Sequence, residues 1–560
     1  MKNKYIEYLS YLLALNLCEV ILKINLRIDI KVSALILNLI LSLLLLSIAS
    51  ALSTQKRRVF EAISLLVFLI YTFAQNIYYL FFNNLFSMVN ISTAIKLSGI
   101  KMDVFSKIDD TLLLYLLPPL ILFIGISINN KEREIKRNRT IEAIIISIIG
   151  LFLCSNTIYA DNILNKVEYV ENYGLTSYIQ SDIKNCLDND EISFEELDKW
   201  YKHNLKQQET NEYSGLLKDK NLIIVQAESL CKNAIDEKLT PNLYKLINNS
   251  IYFDNFYAPL YPANTNDSEF IIQTSLIPSL ENKITAYAYD ANYFPQTIAS
   301  LFKENGYSAN SYHSYFKGYY NREVMHKTLG FDKYYALEDL FPEEIPNFQN
   351  EYWIDDVKLI EEYLNRQKED KYYDFIISTS GHLPYSKNRK QLEDNYQIVK
   401  ETYKNMNEEL AYYYASIMKF DEAIGLLMNN LSDDDVLVIV GDHYPYGLNE
   451  EALDELISDK DYHKYQVPFI IYNKDLVPTT IHKTSSTFDV LPTLANLFDI
   501  KLNEIYFGND ALSQTESNVY FSDGDVLKEN TYCKDSNDEI YKFSQYLLQL
   551  DYFRNRDNIN

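Results

Sequence analysis

The sequence predicts an N-terminal transmembrane domain of five helices, followed by an extracellular α/β domain with a mostly parallel central sheet. Three observations carry this prediction. Five long apolar stretches lie before residue 160, short β-branched runs alternate with amphipathic helical stretches after residue 220, and the net charge changes sign along the chain. The predicted domains are therefore a membrane domain (1–160), an extracellular linker with some helix (161–220) and the α/β domain (221–560).

Each apolar stretch has about the ~20 residues that a helix needs to cross a bilayer. The first is the least uniform, because Glu7, Glu19 and Lys23 interrupt it. The alternative is a bundle of buried helices in a soluble protein, but the run LILNLILSLLLLSIASAL has no polar face to turn to water. The predicted spans are 5–23, 32–52, 59–82, 111–128 and 141–160.

Short basic loops indicate the orientation of these spans. Lys56, Arg57 and Arg58 separate the second and third spans, five more basic residues separate the fourth and fifth, and Lys2 and Lys4 precede the first. Positive charge in short loops stays in the cytoplasm, and all three groups fall on one side only if there are five spans. We therefore expect a multi-pass protein of the cell membrane with a cytoplasmic N-terminus and an extracellular α/β domain.

The charge distribution restricts the possible partners. Residues 1–140 hold 16 basic and 9 acidic residues, a net charge of +7, whereas the remainder has a net charge of −32. This acidic part argues against nucleic acid as a partner, because phosphate backbones are bound by clustered Lys and Arg. The five cysteines show neither a zinc-binding spacing nor a readable disulfide framework.

Four β-branched runs predict buried strands of one sheet: NLIIVQA (221–227), DFIISTS (374–380), VLVIV (436–440) and VPFIIYN (467–473). Helical stretches lie between them, which favours a mostly parallel sheet covered by helices. Ligands of such folds bind beyond the carboxyl ends of the strands. The polar residues that directly follow each run are therefore the first candidates for a functional site.

Three predicted strands end in residues that can bind a metal. The first is followed by Glu228, the second by Gly381-His382 and the third by Gly441-Asp442-His443. Carboxylate oxygens with one imidazole suit Mn²⁺, Mg²⁺ or Zn²⁺. Each residue has a simpler interpretation, such as a solvated loop residue or helix cap, but three such ends in the same topological position favour a site.

Thr265 is a candidate for the reacting group. It lies in YPANTNDSEF, between an aromatic strand-like run and a predicted helix, so it falls at or just before a helix N-terminus. Backbone N–H groups and the helix dipole favour an anion there, including an alkoxide or a phosphate. The alternative is that Thr265 or Asn264 is only the N-cap of this helix.

Taken together, these features resemble the lipoteichoic acid synthase type of phosphoglycerol transferase, within the alkaline phosphatase/sulfatase superfamily. The resemblance covers nearly the whole chain, five spans and a sulfatase-like domain included. It is carried by the ordered set Ala227-Glu228-Ser229, Asn264-Thr265-Asn266-Asp267-Ser268-Glu269-Phe270, Tyr312-His313, Tyr320-Asn321-Arg322, Gly330-Phe331-Asp332, Gly381-His382 and Gly441-Asp442-His443.

The resemblance implies a site with defined roles. Glu228, Thr265, Asp442 and His443 would bind one divalent ion, with Mn²⁺ expected first and Mg²⁺ or Zn²⁺ as alternatives, and Thr265 would be the nucleophile. The substrate-binding residues implied are His313, Tyr320, Arg322 and His382. Tyr320 replaces a tryptophan common in the family, and Asn264 replaces a frequent lysine.

The implied reaction transfers glycerol-phosphate from phosphatidylglycerol, through a covalent threonine intermediate, to a glycerol-phosphate polymer, a glycolipid or an envelope glycan in a bacterial cell membrane. A sulfatase would need a Cys or Ser in a C/S-x-P-S-R setting where Thr265 lies. A lipid or glycan phosphoethanolamine transferase is an alternative, although its outer domain usually carries several disulfides. A non-catalytic envelope-polymer-binding membrane protein is a third possibility if the four metal-binding positions do not meet.

Overall fold

The computed structural model describes ten stretches of the chain. These are residues 2–82, 85–87, 110–129, 166–187, 192–280, 284–345, 354–366, 368–458, 462–534 and 539–556. The chain divides into two compact units, a first unit of Met1–Glu191 and a second unit of Ile192–Asn560. The predicted linker 161–220 is thereby shared between the two units.

The first unit is helical. Its helices are α1 (Lys2–Leu26), α2 (Val32–Ala51), α3 (Thr54–Phe82), a 3₁₀ turn (Asp110–Leu116), α4 (Leu117–Ile128) and α5 (Lys166–Leu187). Four described segments are long and apolar enough to cross a membrane, namely Tyr5–Leu26, Val32–Ala51, Thr54–Tyr79 and Thr111–Ile128. They coincide with the first four predicted spans and indicate membrane anchoring. The fifth predicted span, 141–160, lies outside the described residues.

Charged side chains inside the first unit gather at the two opposite ends of α1. Near its start, Glu7 accepts a 2.9 Å bond from Arg57 Nη2 and also contacts Asn129. Near its end, Lys23 forms a 3.3 Å ion pair with Glu19. Lys23 Nζ also donates to a backbone carbonyl oxygen of α5, so α5 lies near the end of α1. Asn129 and α5 therefore lie at opposite ends of the helical unit.

The second unit is built on an eight-stranded sheet. Its strands are β1 (Asn221–Ala227), β2 (Ile251–Phe253), β4 (Ser308–His313), β5 (Lys333–Tyr335), β6 (Tyr372–Ile377), β7 (Asp435–Gly441), β8 (Phe469–Tyr472) and β9 (Thr479–Ile481). Across the sheet they follow the order β5-β4-β6-β1-β7-β8-β2-β9. The five strands from β5 to β7 are parallel, and β8 runs antiparallel to both its neighbours. The predicted mostly parallel sheet is confirmed.

Two smaller sheets complete the strand inventory of the described residues. They contain β3 (Phe256–Tyr257) with β10 (Ser485–Ser486), and β11 (Asn518–Tyr520) with β12 (Val526–Lys528) and β13 (Thr531–Cys533). Every residue of β1 and β7 is buried. Helices cover both faces of a central parallel sheet, so its strands need apolar side chains on both sides.

The helices of the second unit precede, separate and follow its strands. They are α6 (Phe194–His203), α7 (Pro241–Ile247), α8 (Thr265–Thr274), α9 (Thr285–Ala288), α10 (Ile298–Glu304), α11 (Arg322–Thr328), α12 (Leu337–Leu340), α13 (Asp356–Leu364), α14 (Glu393–Thr402), α15 (Glu408–Met428), α16 (Glu450–Leu456), α17 (Val490–Leu497), α18 (Glu539–Gln549) and α19 (Tyr552–Asn555). α6 falls within the predicted linker and belongs to the second unit, where the Trp200 ring stacks on Phe543 with centroids 4.7 Å apart.

Candidate metal centre and active site

The register of the central strands brings the first candidate ligands together. Ala227 at the end of β1 pairs with Gly441 at the end of β7, so Glu228 and Asp442 both follow paired residues. Gly441 is required by close packing, because a Cβ there would lie 2.5 Å from the carbonyl oxygen of Leu230. The strand pairing therefore fixes two carboxylates side by side at the carboxyl edge of the sheet, as predicted for this fold.

Glu228, Asp442 and His443 form a cluster that can hold a metal ion, with one ligand atom from each lying within 4.8 Å of the others. His443 Nε2 is 3.4 Å from Asp442 Oδ2 and 3.7 Å from Glu228 Oε1. The other ring nitrogen, Nδ1, is 3.1 Å from the Tyr444 carbonyl oxygen, to which it can only donate. Because Nδ1 carries the proton, the ring's lone pair is on Nε2. This arrangement is usual for a metal-binding histidine.

The electrostatics of the cluster fit a bound cation. Burial raises the pKa of Asp442 well above its ordinary value, and the neighbouring charge of Glu228 raises it further. Asp442 Oδ2 is buried and has no hydrogen-bond donor among the described residues. Burial lowers the pKa of His443, so the imidazole is neutral, the form that binds metals. A divalent cation would satisfy the orphaned oxygen and offset the repulsion between the two carboxylates.

Thr265 joins this cluster. It is the first residue of α8, at the helix N-terminus that the sequence predicts. Its Oγ1 donates a 3.0 Å hydrogen bond to Glu228 Oε2 and lies 3.4 Å from His443 Nε2. The helix is anchored to the same strand end, because Ser268 Oγ donates to the Asp442 carbonyl oxygen at 2.7 Å. The hydroxyl is therefore placed where a metal bound by the cluster would contact it.

The four predicted substrate-binding residues lie at or near the same edge of the sheet. His313 ends β4, and its Nδ1 donates to the Ile377 carbonyl oxygen at 3.0 Å; burial lowers its pKa to about 3. His382 Nδ1 donates to the Leu383 carbonyl oxygen at 2.7 Å. Burial lowers the pKa of His382 too, although the nearby Glu228 charge opposes this. Both rings are therefore neutral and keep Nε2 as a proton acceptor.

Arg322 and Tyr320 occupy the turn that leads into α11. The Arg322 guanidinium lies 5.4 Å from the Tyr320 ring centroid and 5.7 Å from that of Tyr319. Tyr320 is buried and has a left-handed backbone (φ 53°). Arg322 already pairs with Glu269, and its Nη1 makes no hydrogen bond to any described residue. The predicted phosphate-binding arginine is therefore only partly engaged.

Three residues near the site were not predicted as functional. Glu269 pairs with Arg322, His326 pairs with Glu269, and Tyr446 accepts a 2.7 Å hydrogen bond from Asn264 Nδ2, directly before Thr265. One signal for Glu269 was available, because it lies one helical turn after Thr265 on the predicted helix. His326 and Tyr446 carried no such signal, because their partners are remote in sequence.

The comparisons with known proteins agree with this architecture. A family model described as Sulfatase matches residues 220–500. "Lipoteichoic acid synthase-like YvgJ" of Bacillus subtilis is 29 % identical over 324 residues, which cover 53 % of this chain and 51 % of that protein. "Lipoteichoic acid synthase 2" of the same organism is 26 % identical over 511 residues, covering 83 % of this chain and 75 % of that protein.

Among solved structures, the chain is similar to the lipoteichoic acid synthase LtaP of Listeria monocytogenes. The two are 24 % identical with a TM-score of 0.49, and the match covers 65 % of this chain and 98 % of the other. The chain spans about half the length of the curated Bacillus subtilis relative YvgJ. Because the family model matches half of the chain, including the residues at the strand ends, the chain belongs to the sulfatase family.

Proposed function

We propose that this protein is a membrane-anchored, metal-dependent phosphoglycerol transferase. It moves glycerol-phosphate from phosphatidylglycerol, through a covalent intermediate on Thr265, to a lipoteichoic acid-type or other cell-envelope acceptor. The observation that carries the proposal is the Thr265 hydroxyl, hydrogen-bonded to Glu228 and within 3.4 Å of His443 at a helix N-terminus. The names of the lipoteichoic acid synthase relatives support the choice of substrate class.

Glu228, Asp442, His443 and the Thr265 hydroxyl would hold one divalent cation. The mixed carboxylate and imidazole set suits Mn²⁺, Mg²⁺ or Zn²⁺, and the resemblance to the lipoteichoic acid synthase type puts Mn²⁺ first. A divalent cation lowers the pKa of a coordinated hydroxyl and stabilises charge on a phosphoryl oxygen. The α8 N-terminus adds backbone N–H groups that favour the same negative charge. Arg322 contributes a charged donor to the phosphoryl oxygens.

In the first half-reaction, the Thr265 oxygen attacks the phosphorus of phosphatidylglycerol. A bond forms between this oxygen and phosphorus, and the bond from phosphorus to the diacylglycerol oxygen breaks. The Thr265 proton leaves along its hydrogen bond to Glu228 Oε2 and is replaced on the departing diacylglycerol oxygen, with His382 proposed as the group that protonates that oxygen. In the second half-reaction an acceptor hydroxyl gives its proton to His382 and attacks the phosphorus, and Thr265 regains its proton as it leaves.

The proposed orientation places the second unit outside the cell, with the N-terminus in the cytoplasm. The ends of the first unit support it. Asn129 lies near the start of α1, whereas α5 lies near its end. The chain therefore enters the stretch between residues 129 and 166 at one end and leaves it at the other, as one further crossing requires. The donor lipid would then be taken from the outer leaflet.

The test is a lipid assay with the full chain in detergent. The protein, Mn²⁺ and vesicles of a fluorescent phosphatidylglycerol should release diacylglycerol, and mass spectrometry should find a glycerol-phosphate adduct on Thr265. Phosphatidylethanolamine vesicles serve as the second arm. Release of diacylglycerol from phosphatidylethanolamine but not from phosphatidylglycerol would assign the protein as a phosphoethanolamine transferase. Release from neither lipid would contradict both assignments.

A further inference from the structure

A buried ion cluster connects α8 to the phosphate-binding arginine. Arg322 Nε lies 3.0 and 3.1 Å from the two carboxylate oxygens of Glu269, and Arg322 Nη2 lies 2.6 Å from Oε1. His326 Nε2 lies 3.1 Å from Glu269 Oε2. All three residues are only 1 % exposed. The carboxylate therefore occupies one whole edge of the guanidinium and is itself fixed by a third residue.

The hydrogen-bond directions in the cluster follow from the charge states. Burial alone would raise the pKa of Glu269, but the Arg322 charge holds it at about 2, so the carboxylate can only accept. His326 Nε2–H must then donate, and Nδ1 accepts from Ser311 Oγ at 2.7 Å. Burial also lowers the pKa of His326, so its ring adds no charge. Glu269 and Arg322 thus neutralise each other.

Such a cluster is poorly explained by stability alone, because burying an ion pair costs about as much desolvation energy as the attraction returns. Its position suggests a geometric task. Glu269 lies one turn after Thr265 on α8, so a single rigid helix carries both the proposed nucleophile and the carboxylate that holds the arginine. Arg322 Nη1, which is buried without an acceptor among the described residues, is left for a further oxygen.

We infer that Glu269 is a positioning residue for Arg322, oriented in turn by His326, and that it sets the distance between the arginine and the Thr265 oxygen. This inference rests on the proposed function, in which Arg322 binds phosphoryl oxygens. By taking up Nε–H and one N–H of Nη2, Glu269 leaves the two N–H donors of Nη1 and the second N–H of Nη2, and it offsets the positive charge of the guanidinium. A partly neutralised arginine suits a group that must bind phosphate and release it in each half-reaction.

The test is a double-mutant cycle on the full chain in detergent with Mn²⁺. Glu269→Gln should lower kcat/KM for phosphatidylglycerol about 100-fold, since a small misplacement of a binding group can cost that much. In an Arg322→Ala background, the same change should cost less than about 2-fold, because the two residues act as one unit. His326→Gln keeps a donor to Glu269 and should retain more activity than His326→Phe.

Asp421→Asn is the matched control. Asp421 is a buried carboxylate that accepts a 2.7 Å bond from the Leu243 backbone, and it lies in neither the metal cluster nor the arginine cluster. It reports the cost of losing any buried carboxylate and should leave kcat/KM within about 3-fold. If Glu269→Gln does not fold, Glu269→Asp is the substitute, because it keeps the charge and shortens the reach.

Calorimetric binding of glycerol 1-phosphate to the same variants separates this inference from the proposed function. Coupling between Glu269 and Arg322 in binding, without any lipid turnover by the wild type, would support the positioning and refute the transferase. Turnover by the wild type with independent, multiplicative effects of the two substitutions would refute the positioning and keep the transferase. Absence of both turnover and glycerol 1-phosphate binding in the wild type would overturn both.

Discussion

The Thr265 hydroxyl donates a 3.0 Å hydrogen bond to the Glu228 carboxylate, although the two residues are 37 positions apart. Glu228 follows the end of β1, and Thr265 begins α8. The bond therefore joins the end of a strand to the N-terminus of a helix. The carboxylates at the strand ends can bind a cation and the helix N-terminus can bind an anion, so the two ions would lie side by side.

Thr265→Ala should abolish diacylglycerol release from phosphatidylglycerol, because it removes the attacking oxygen while leaving the helix intact. Thr265→Ser keeps a hydroxyl and should retain measurable turnover. Thr274→Ala, at the other end of the same helix, removes a buried hydroxyl that bonds only to nearby groups of the chain, including the Phe270 carbonyl oxygen. Thr274→Ala should behave like the wild type. Turnover by Thr265→Ala at the wild-type rate would exclude Thr265 as the nucleophile.

Asp442→Asn should lose bound metal. The substitution removes one carboxylate of the cluster and leaves a neutral amide with one fewer acceptor. We expect the Mn²⁺ affinity to fall by about 100-fold, because even the loss of a residue that orients a ligand costs about 10- to 100-fold. Elemental analysis of the full chain should find about one ion in the wild type. Asp435→Asn is the control, because Asp435 starts the same strand and bonds to Asn221 and Tyr372 instead. Equal metal content in both variants would contradict the assigned ligands.

Gly441→Ala should damage the metal site without touching a ligand. The added Cβ would lie 2.5 Å from the Leu230 oxygen and 2.6 Å from Val467 Cβ, so the end of β7 must move and carry Asp442 with it. We expect weaker Mn²⁺ binding and a lower melting temperature. Gly318→Ala meets no atom within 4 Å and should bind metal as the wild type does. Unchanged metal affinity in Gly441→Ala would show that the strand end tolerates displacement.

The Glu269–Arg322 pair should give the protein an acid-sensitive contribution to stability. Arg322 holds the pKa of Glu269, against the effect of burial, at about 2, below its value of about 4.3 in an unfolded chain. Such a group stabilises the fold above the unfolded pKa, and this contribution disappears as the pH falls from about 4 toward 2. The pH-dependent difference in the free energy of unfolding between the wild type and Glu269→Gln should therefore reach roughly 3 kcal/mol near pH 6.

Urea unfolding followed by tryptophan fluorescence, to which Trp200 stacked on Phe543 contributes, measures this difference. Asp421→Asn provides a control of opposite sign, because burial raises the pKa of Asp421 and its carboxylate costs stability as the pH rises. A Glu269→Gln difference that stays constant from pH 6 to pH 2 would mean that the pair is not ionised.

Cys533 offers a test of the membrane orientation. It is a free cysteine and is partly exposed in the second unit. In intact cells, a membrane-impermeant maleimide should label the wild type more strongly than Cys533→Ser. Cys231 is buried and should not react until the protein is unfolded. If Cys533 is labelled only after the cells are lysed, the second unit faces the cytoplasm.

Local patterns in the sequence were sufficient for much of the architecture. Apolar runs of membrane-spanning length predicted the four spans that the structure describes, and β-branched runs predicted β1, β6, β7 and β8. These signals are local, because the apolar residues of a segment are enough to indicate that this segment is buried. The candidate metal ligands could also be predicted, because residues that follow parallel strands share one edge of the sheet.

Other features depended on contacts between distant segments. The antiparallel direction of β8 and the packing of α6 within the second unit are not visible in the runs themselves. The partners of Arg322 are also non-local, since Glu269 lies 53 residues before it. A single sequence records which side chains are available, and burial in the folded chain decides which of them must pair. The sequence by itself thus determined the membrane anchor, the sheet class and the likeness to a sulfatase-family site, whereas only the tertiary structure decided which charges hold that site in place.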